Sequence, residues 1–171
     1  MLDTLETSAA VDDLFGEAVA AEEPTEQFVT FRLGPEWYAV PIAQVREVVR
    51  CGQISYLPSA PPHVAGVINL RGNIITVTDP KRLFGQSSPA LTGQHRVVVI
   101  ETAAAETGLL VDEVGEVAAV ALSQLEPPLV TIEPAQAVFV AHTCRWENRL
   151  LAILKGDKLV AVGGPVPLAE G

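Results

Sequence analysis

Only two cysteines, Cys51 and Cys144, occur in the 171 residues of this chain. That excludes a disulfide framework and points to a compartment where thiols stay reduced. No Lys or Arg precedes Arg32, so the basic opening of a secretory leader is missing. No apolar stretch approaches the roughly twenty residues that span a bilayer, because charge or proline interrupts each one. A cytoplasmic chain without direct membrane insertion is expected. A basic stripe of the kind that tracks a phosphate backbone is also lacking, which argues against nucleic acid as a partner.

Catalytic signatures are equally scarce. His63, His95 and His142 are scattered, without ligand spacing on one helix, and there is no Cys-x-x-Cys. The nucleophile elbow Gly-x-Ser-x-Gly, the phosphate-binding P-loop and a strand-linked Gly-x-Gly-x-x-Gly do not occur. Asp112 and Glu113 could in principle serve as acid and base, but neighbours on a strand-to-turn segment point apart and suit a solvated turn better. The sequence calls for no metal and no cofactor, and an enzyme is the weaker reading.

What the chain does have is apolar content, 49% of its residues, and an uneven charge. Of its net −10, residues 1–26 contribute eight acids and no base, which leaves thirteen acids against eleven bases in the remainder. The body is nearly neutral and the acidity belongs to an N-terminal extension. Within that extension Val11, Leu14, Phe15, Ala18 and Val19 fall at helical spacing. Two readings stay open: a disordered acidic tail, or a short helix that docks on a partner.

From Phe28 onward the pattern is that of short strands. Residues 28–33 alternate, 34–36 form a turn, and 37–40 return as the second arm of a hairpin. A turn of helix opened by Pro41 precedes the next strand. Residues 64–70 and 74–78 flank a turn at Arg71-Gly72-Asn73, and Asp79 is placed to cap a short helix. A linker-like stretch covers 85–93, and then the pattern recurs. Phe28-Val29-Thr30-Phe31 lies over Val97-Val98-Val99-Ile100 and Val45-Arg46-Glu47-Val48 over Val114-Gly115-Glu116-Val117, both at an offset of 69 positions. At an offset of 76, Ile74-Ile75-Thr76-Val77 lies over Leu150-Leu151-Ala152-Ile153. Two copies of one unit predict two small barrel-like lobes, about 27–85 and 94–163, sharing one core and with room to exchange a terminal strand. Residues 112–114 read as a turn, and 157–162 as a short closing element.

Arg71 stands out at its hairpin corner. A guanidinium there either solvates freely or anchors a carboxylate in a forked pair.

Taken in order, Phe28-Val29-Thr30-Phe31-Arg32-Leu33-Gly34, Tyr38-Ala39-Val40-Pro41-Ile42, Val45-Arg46-Glu47-Val48 and Gly66-Val67-Ile68-Asn69-Leu70-Arg71-Gly72 resemble the CheW family of chemotaxis coupling proteins. The likeness runs from about residue 27 to 162. It implies an all-β fold of two five-stranded Src-homology-3-like barrels with short helical turns, and no catalytic site. It also implies a scaffold between the cytoplasmic tip of a methyl-accepting chemoreceptor and the regulatory domain of a CheA-type histidine kinase. Carried over by position, Val45, Glu47, Gly66 and Arg71 would face the receptor, and Val114 and Val117 would line the other side of that groove. The kinase would meet Val97, Val98, Val99 and Ile100. The chain departs from the family pattern at Lys155, where an aspartate is common, and at His142-Thr143-Cys144-Arg145-Trp146. Two alternatives accompany the resemblance. One is the same adaptor in a type IV pilus or other motility pathway. The other, from a different class, is a small barrel ligand-binding protein or enzyme using the interlobe cleft.

Overall fold

The computed structural model describes residues 23–86, 93–103, 105–128 and 133–163. The proposed helix at 11–19 and most of the 85–93 linker lie outside them. Among the described residues ten strands follow one another in two runs of five. The first run is β1 (Thr25–Leu33), β2 (Glu36–Pro41), β3 (Val45–Arg50), β4 (Val64–Leu70) and β5 (Asn73–Thr78), followed by the short helix α1 (Pro80–Leu83). The second is β6 (Arg96–Glu101), β7 (Glu106–Val111), β8 (Glu113–Ala121), β9 (Val140–Trp146) and β10 (Arg149–Leu154). A short helix α2 (Pro134–Ala137) precedes β9, and α3 (Gly156–Gly163) closes the run. Asp79 caps α1 by accepting the Lys81 amide, with Pro80 preset for the first helical position.

The strands form two five-stranded sheets, ordered β9-β10-β2-β1-β8 and β3-β6-β7-β5-β4. Neither follows the expected division of the chain into 27–85 and 94–163. The hairpin β1–β2 of the first run sits between β10 and β8 of the second, and the hairpin β6–β7 of the second sits between β5 and β3 of the first. Two strands cross each way rather than one terminal strand. Each inserted hairpin makes one parallel pairing, β2 with β10 and β7 with β5. Parallel neighbours cannot be joined by a tight turn, so they come from opposite halves of the chain. The sheets also stop short of closed barrels. A single bridge, Ser55 to Val67 in one and Glu126 to Thr143 in the other, draws the open edges together.

Three apolar clusters result. Phe28, Ala39, Val120, Leu151 and Ile153 fill the concave side of the first sheet, and Ile68, Ile75, Val77, Val97 and Val99 that of the second. The largest lies between the sheets and joins Phe31, Tyr38, Val98, Ile100, Leu109 and Leu154. Helix α3, the last element, adds Leu159 and Val160 to it from its seat against β5, β6 and β7. Burial of one such aliphatic or aromatic side chain is worth about 1.5–3 kcal/mol, so this shared layer dominates the stability of the pair.

Two expectations are corrected at strand level. The turn expected at 112–114 narrows to a bend at Asp112: β8 begins at Glu113, runs for nine residues and pairs with β1 on either side of one register shift opposite Val29 to Phe31. Its last residues, Val120 and Ala121, pair with Glu26 and Thr25, so the folded body begins before residue 27. The Pro24 carbonyl accepts the Leu122 amide, and the Ser123 hydroxyl donates to the Glu23 carboxylate.

Asp112 marks the point where the chain leaves one sheet for the other. Its Oδ1 accepts from Lys81 Nζ at 2.7 Å and lies 3.1 Å from His95 Nε2, while Oδ2 accepts from the Gly34 amide at 2.6 Å. Gly34 belongs to the β1–β2 turn of the first sheet, and Lys81 and His95 to the second half of the junction. Burial alone would raise the Asp112 carboxyl; the Lys81 hydrogen bond and the Gly34 amide outweigh it and hold the group below the usual carboxylate range.

A depressed folded value means that this contribution is complete above the unfolded carboxylate value of about 4, and is lost as pH falls through the folded one. Thermal melts should therefore drop more steeply below about pH 4 for the wild type than for Asp112→Asn, and parallel curves would count against this role. At neutral pH Asp112→Ala should cost about 2 kcal/mol or more by leaving Lys81 buried without its partner. The cost falls short of a fully dry pair because the Asp112 side chain keeps 14% exposure. The swapped hairpins carry a second expectation, that a fragment of residues 27–86 stays molten or aggregates. Sharp, dispersed amide resonances from it would contradict the reciprocal exchange.

Candidate functional site

Strand β3 is an edge strand with Arg46, Val48 and Arg50 exposed and Glu47 turned partly inward. Across the open side of the same sheet lies the β4–β5 turn. Arg71 and Gly72 both take positive φ there, 54° and 89°, and the Asn69 side chain accepts the Gly72 amide at 2.9 Å. This left-handed pair throws the Arg71 side chain across the gap. Its guanidinium meets Glu47 in a forked pair, Nη1 to Oε1 at 3.1 Å and Nη2 to Oε2. The Arg71 hydrogen bond holds the Glu47 carboxyl below its ordinary range. Arg71 remains 64% exposed, so the pair faces solvent as a preformed fork of charge. Val48, next to Glu47 on β3, and Ile74, near the start of β5, are 40% and 54% exposed.

Glu47 and Arg71, which the resemblance assigns to one surface, are thus brought into contact. Gly66 serves differently. It is buried on β4, with φ +154°, and a Cβ there would stand 2.3 Å from the Ser55 carbonyl oxygen. The bare Cα lets the Ser55 segment pair with Val67 through two 2.9 Å backbone bonds. Val45 and Val114 are half-buried against the layer between the sheets, one from each sheet. Val117 is 47% exposed on β8, opposite Val29. Val97, Val98, Val99 and Ile100 are fully buried, because β6 is an interior strand with Val97 and Val99 turned into one cluster and Val98 and Ile100 into another. They offer no side chain to a partner as the protein stands.

A cleft of about 560 Å³ opens beside the first sheet, between Glu36, Trp37 and Tyr38 on one side and Gln136, Arg149 and Leu150 on the other. The Tyr38 hydroxyl donates to Glu36 and accepts from Gln136, and burial pushes its ionisation well above the usual range. The Arg149 guanidinium lies 4.2 Å from the centre of the Trp37 ring. Burial also pushes the Cys51 and Cys144 thiols up, away from reactive thiolates. Among the described residues no cluster of His, Cys, Asp or Glu could hold a metal ion.

Fold and surface together define an all-β, two-lobed module built from one duplicated unit. Residues 27–163 match the family model for the CheW-like domain, and the chain belongs to that family. It is 31% identical to the chemotaxis protein CheW of Klebsiella aerogenes over 153 residues, covering 90% of this chain and 89% of that one. With CheW of Bacillus subtilis it shares 27% over 135 residues, 79% of this chain and 86% of the relative. A solved structure, the scaffolding protein TtCheW from Thermoanaerobacter tengcongensis, superposes with a TM-score of 0.70 at 33% identity, over 77% of this chain and 90% of that chain.

Gly66→Ala should lower stability by about 2 kcal/mol or more, since it combines a strained φ with a clash against backbone. Chemical denaturation measures it. An unchanged midpoint would show that the Ser55 segment moves aside without loss.

Proposed function

We propose that this chain is a non-catalytic adaptor that joins the cytoplasmic tip of a chemoreceptor to the regulatory domain of a CheA-type histidine kinase. The observation that carries the reading is the forked Glu47–Arg71 pair held across the open edge of the sheet, with Val48 and Ile74 exposed on its strands β3 and β5. Charge of both signs in fixed geometry, with exposed apolar side chains on the same strands, suits docking with register rather than turnover of a substrate. Membership in the CheW-like family and likeness to a scaffolding protein support the same conclusion. Among the described residues no helix is long and apolar enough to cross a membrane, which fits an adaptor recruited to receptors.

On this reading Glu47 and Arg71 form the receptor contact. Val45 and Val114 support it from below, Gly66 keeps the β4 edge in place, and Val117 extends the surface onto the other sheet. The kinase contact is made by exposed side chains outside β6. Receptor and kinase held on one rigid body would have their relative position fixed, so that a change in the receptor reaches the kinase as a change of geometry.

The test is a reconstituted phosphorylation assay containing receptor, kinase and adaptor, paired with a melting curve for each variant. Arg71→Ala and Glu47→Ala should each reduce receptor-dependent activation roughly tenfold or more while melting stays close to wild type, since an exposed pair adds little to folding. Normal activation by a well-folded Arg71→Ala protein would refute the site. Phosphotransfer or hydrolysis by the isolated chain would refute the adaptor.

A further inference from the structure

The turn that carries Arg71 is the least ordinary piece of backbone at the site. Leu70 and Asn73 pair across it, so Arg71 and Gly72 are its two central residues, at φ 54° and 89°. A two-residue hairpin with both central φ positive favours asparagine, aspartate or glycine at the first of them, because a short or absent side chain tolerates that conformation. Arginine there is strained, and strain of this kind points to function at the strained residue. Its effect is one of direction: from this conformation the guanidinium crosses to Glu47 and bonds both carboxylate oxygens.

The matching turn of the second half shows what such a corner needs. Trp146 and Arg149 pair across it, and Glu147 and Asn148 take φ of 51° and 64°. It forms with Arg145 at the position of Asn69, and among the described residues no side-chain hydrogen bond closes it. Asn148, at its second central position, is itself suited to the left-handed conformation. The first turn has Gly72 there instead, which can leave that conformation at little cost. Asn69 removes the freedom. Its Oδ1 accepts the Gly72 amide at 2.9 Å, and both residues are exposed. An exposed bond of this kind adds little to folding, because water can replace either half of it.

We infer that Asn69 is a positioning residue for the docking surface: its side chain latches the Gly72 amide and so fixes the Arg71 corner, and the Arg71–Glu47 fork stands in place before a partner arrives. This role rests on the reading of Glu47 and Arg71 as the receptor contact. Asn69 acts through the backbone of the turn. Without the latch the corner samples conformations in which the guanidinium leaves Glu47, and apparent affinity falls to the fraction of time the fork is formed.

Two measurements separate this from a structural role and from a contact role. In the isolated full chain, carboxyl titration followed by NMR reads the fork directly, because the Arg71 hydrogen bond is the leading cause that holds Glu47 below its ordinary range, with Arg46 adding a weaker pull. Asn69→Ala should move the Glu47 carboxyl upward, toward but not past its position in Arg71→Ala, while the melting temperature stays near wild type. In the reconstituted assay of receptor, kinase and adaptor, Asn69→Ala should reduce receptor-dependent activation by roughly two- to tenfold, the span of one neutral hydrogen bond. Gly72→Asn copies Asn148, and a Cβ at Gly72 meets no atom within 4 Å. It should restore both readings in the Asn69→Ala background. In the Arg71→Ala background Asn69→Ala should cause no further loss. A Glu47 carboxyl that stays put in Asn69→Ala would overturn the latch whatever the assay gives. So would a loss of activation that survives Gly72→Asn or adds in full to that of Arg71→Ala, since Asn69 would then meet the partner itself. If Arg71→Ala leaves activation intact, the receptor site falls and takes the docking role of Asn69 with it, while the Glu47 titration still reports whether Asn69 holds the fork.

Discussion

The structure depends on one constraint: each sheet is incomplete without a hairpin from the other half of the chain. The β1–β2 hairpin lies in the middle of a sheet whose remaining strands come from residues 113–154, and β6–β7 lies in the middle of one built from residues 45–78. Central strands are buried on both faces, which is why Thr30 and Thr107 are fully enclosed beside Phe31 and Leu109. Their hydroxyls cannot reach water and bond to carbonyls instead, Thr30 to Glu116 and Thr107 to Thr76. The apolar layer between the sheets then joins two bodies that are already interlocked.

Such interlocking puts a premium on the places where the chain crosses over. Asp112 occupies one, and its carboxylate draws together a turn of one sheet with helix α1 and the residue leading into β6 of the other. The surface pair between Arg32 and Glu113 lies immediately beside it, Nε to Oε1 at 2.9 Å, and the Asp112 amide donates to the Arg32 carbonyl. A docking surface that reads geometry needs such fixed junctions, because slack between the sheets would loosen Val45 and Val114, which touch the common layer from opposite sides.

Much of this was legible in the residues. The repeat at offsets of 69 and 76 matches β1 with β6, β3 with β8 and β5 with β10, and the Arg71 corner was visible as a charge without a local purpose. The exchange of hairpins was not legible, because alternation shows that a strand has two faces and never names its neighbour. Strand β8 was hidden by Gly115, a poor strand former. That glycine is there because the Trp37 ring lies against it, where a Cβ would come within 2.6 Å of the ring. The resemblance implies a kinase contact at Val97 to Ile100, yet the lack of alternation in that run reflects burial on both sides. Nothing local in the sequence reveals that Lys81 and His95 both turn inward to Asp112.

The reciprocal exchange also bears on how such a chain could arise. A single unit of one β1-to-α1 length would carry a hairpin that fits only into another copy, and three strands that lack their centre. Two separate copies would complete both sheets by trading hairpins, as a domain-swapped homodimer does. Joining the copies end to end makes that dimer a single chain and frees each half to change by itself. Divergence at a few surface positions, such as arginine at 71 and glutamate at 147, then turns a symmetric object into one with a direction.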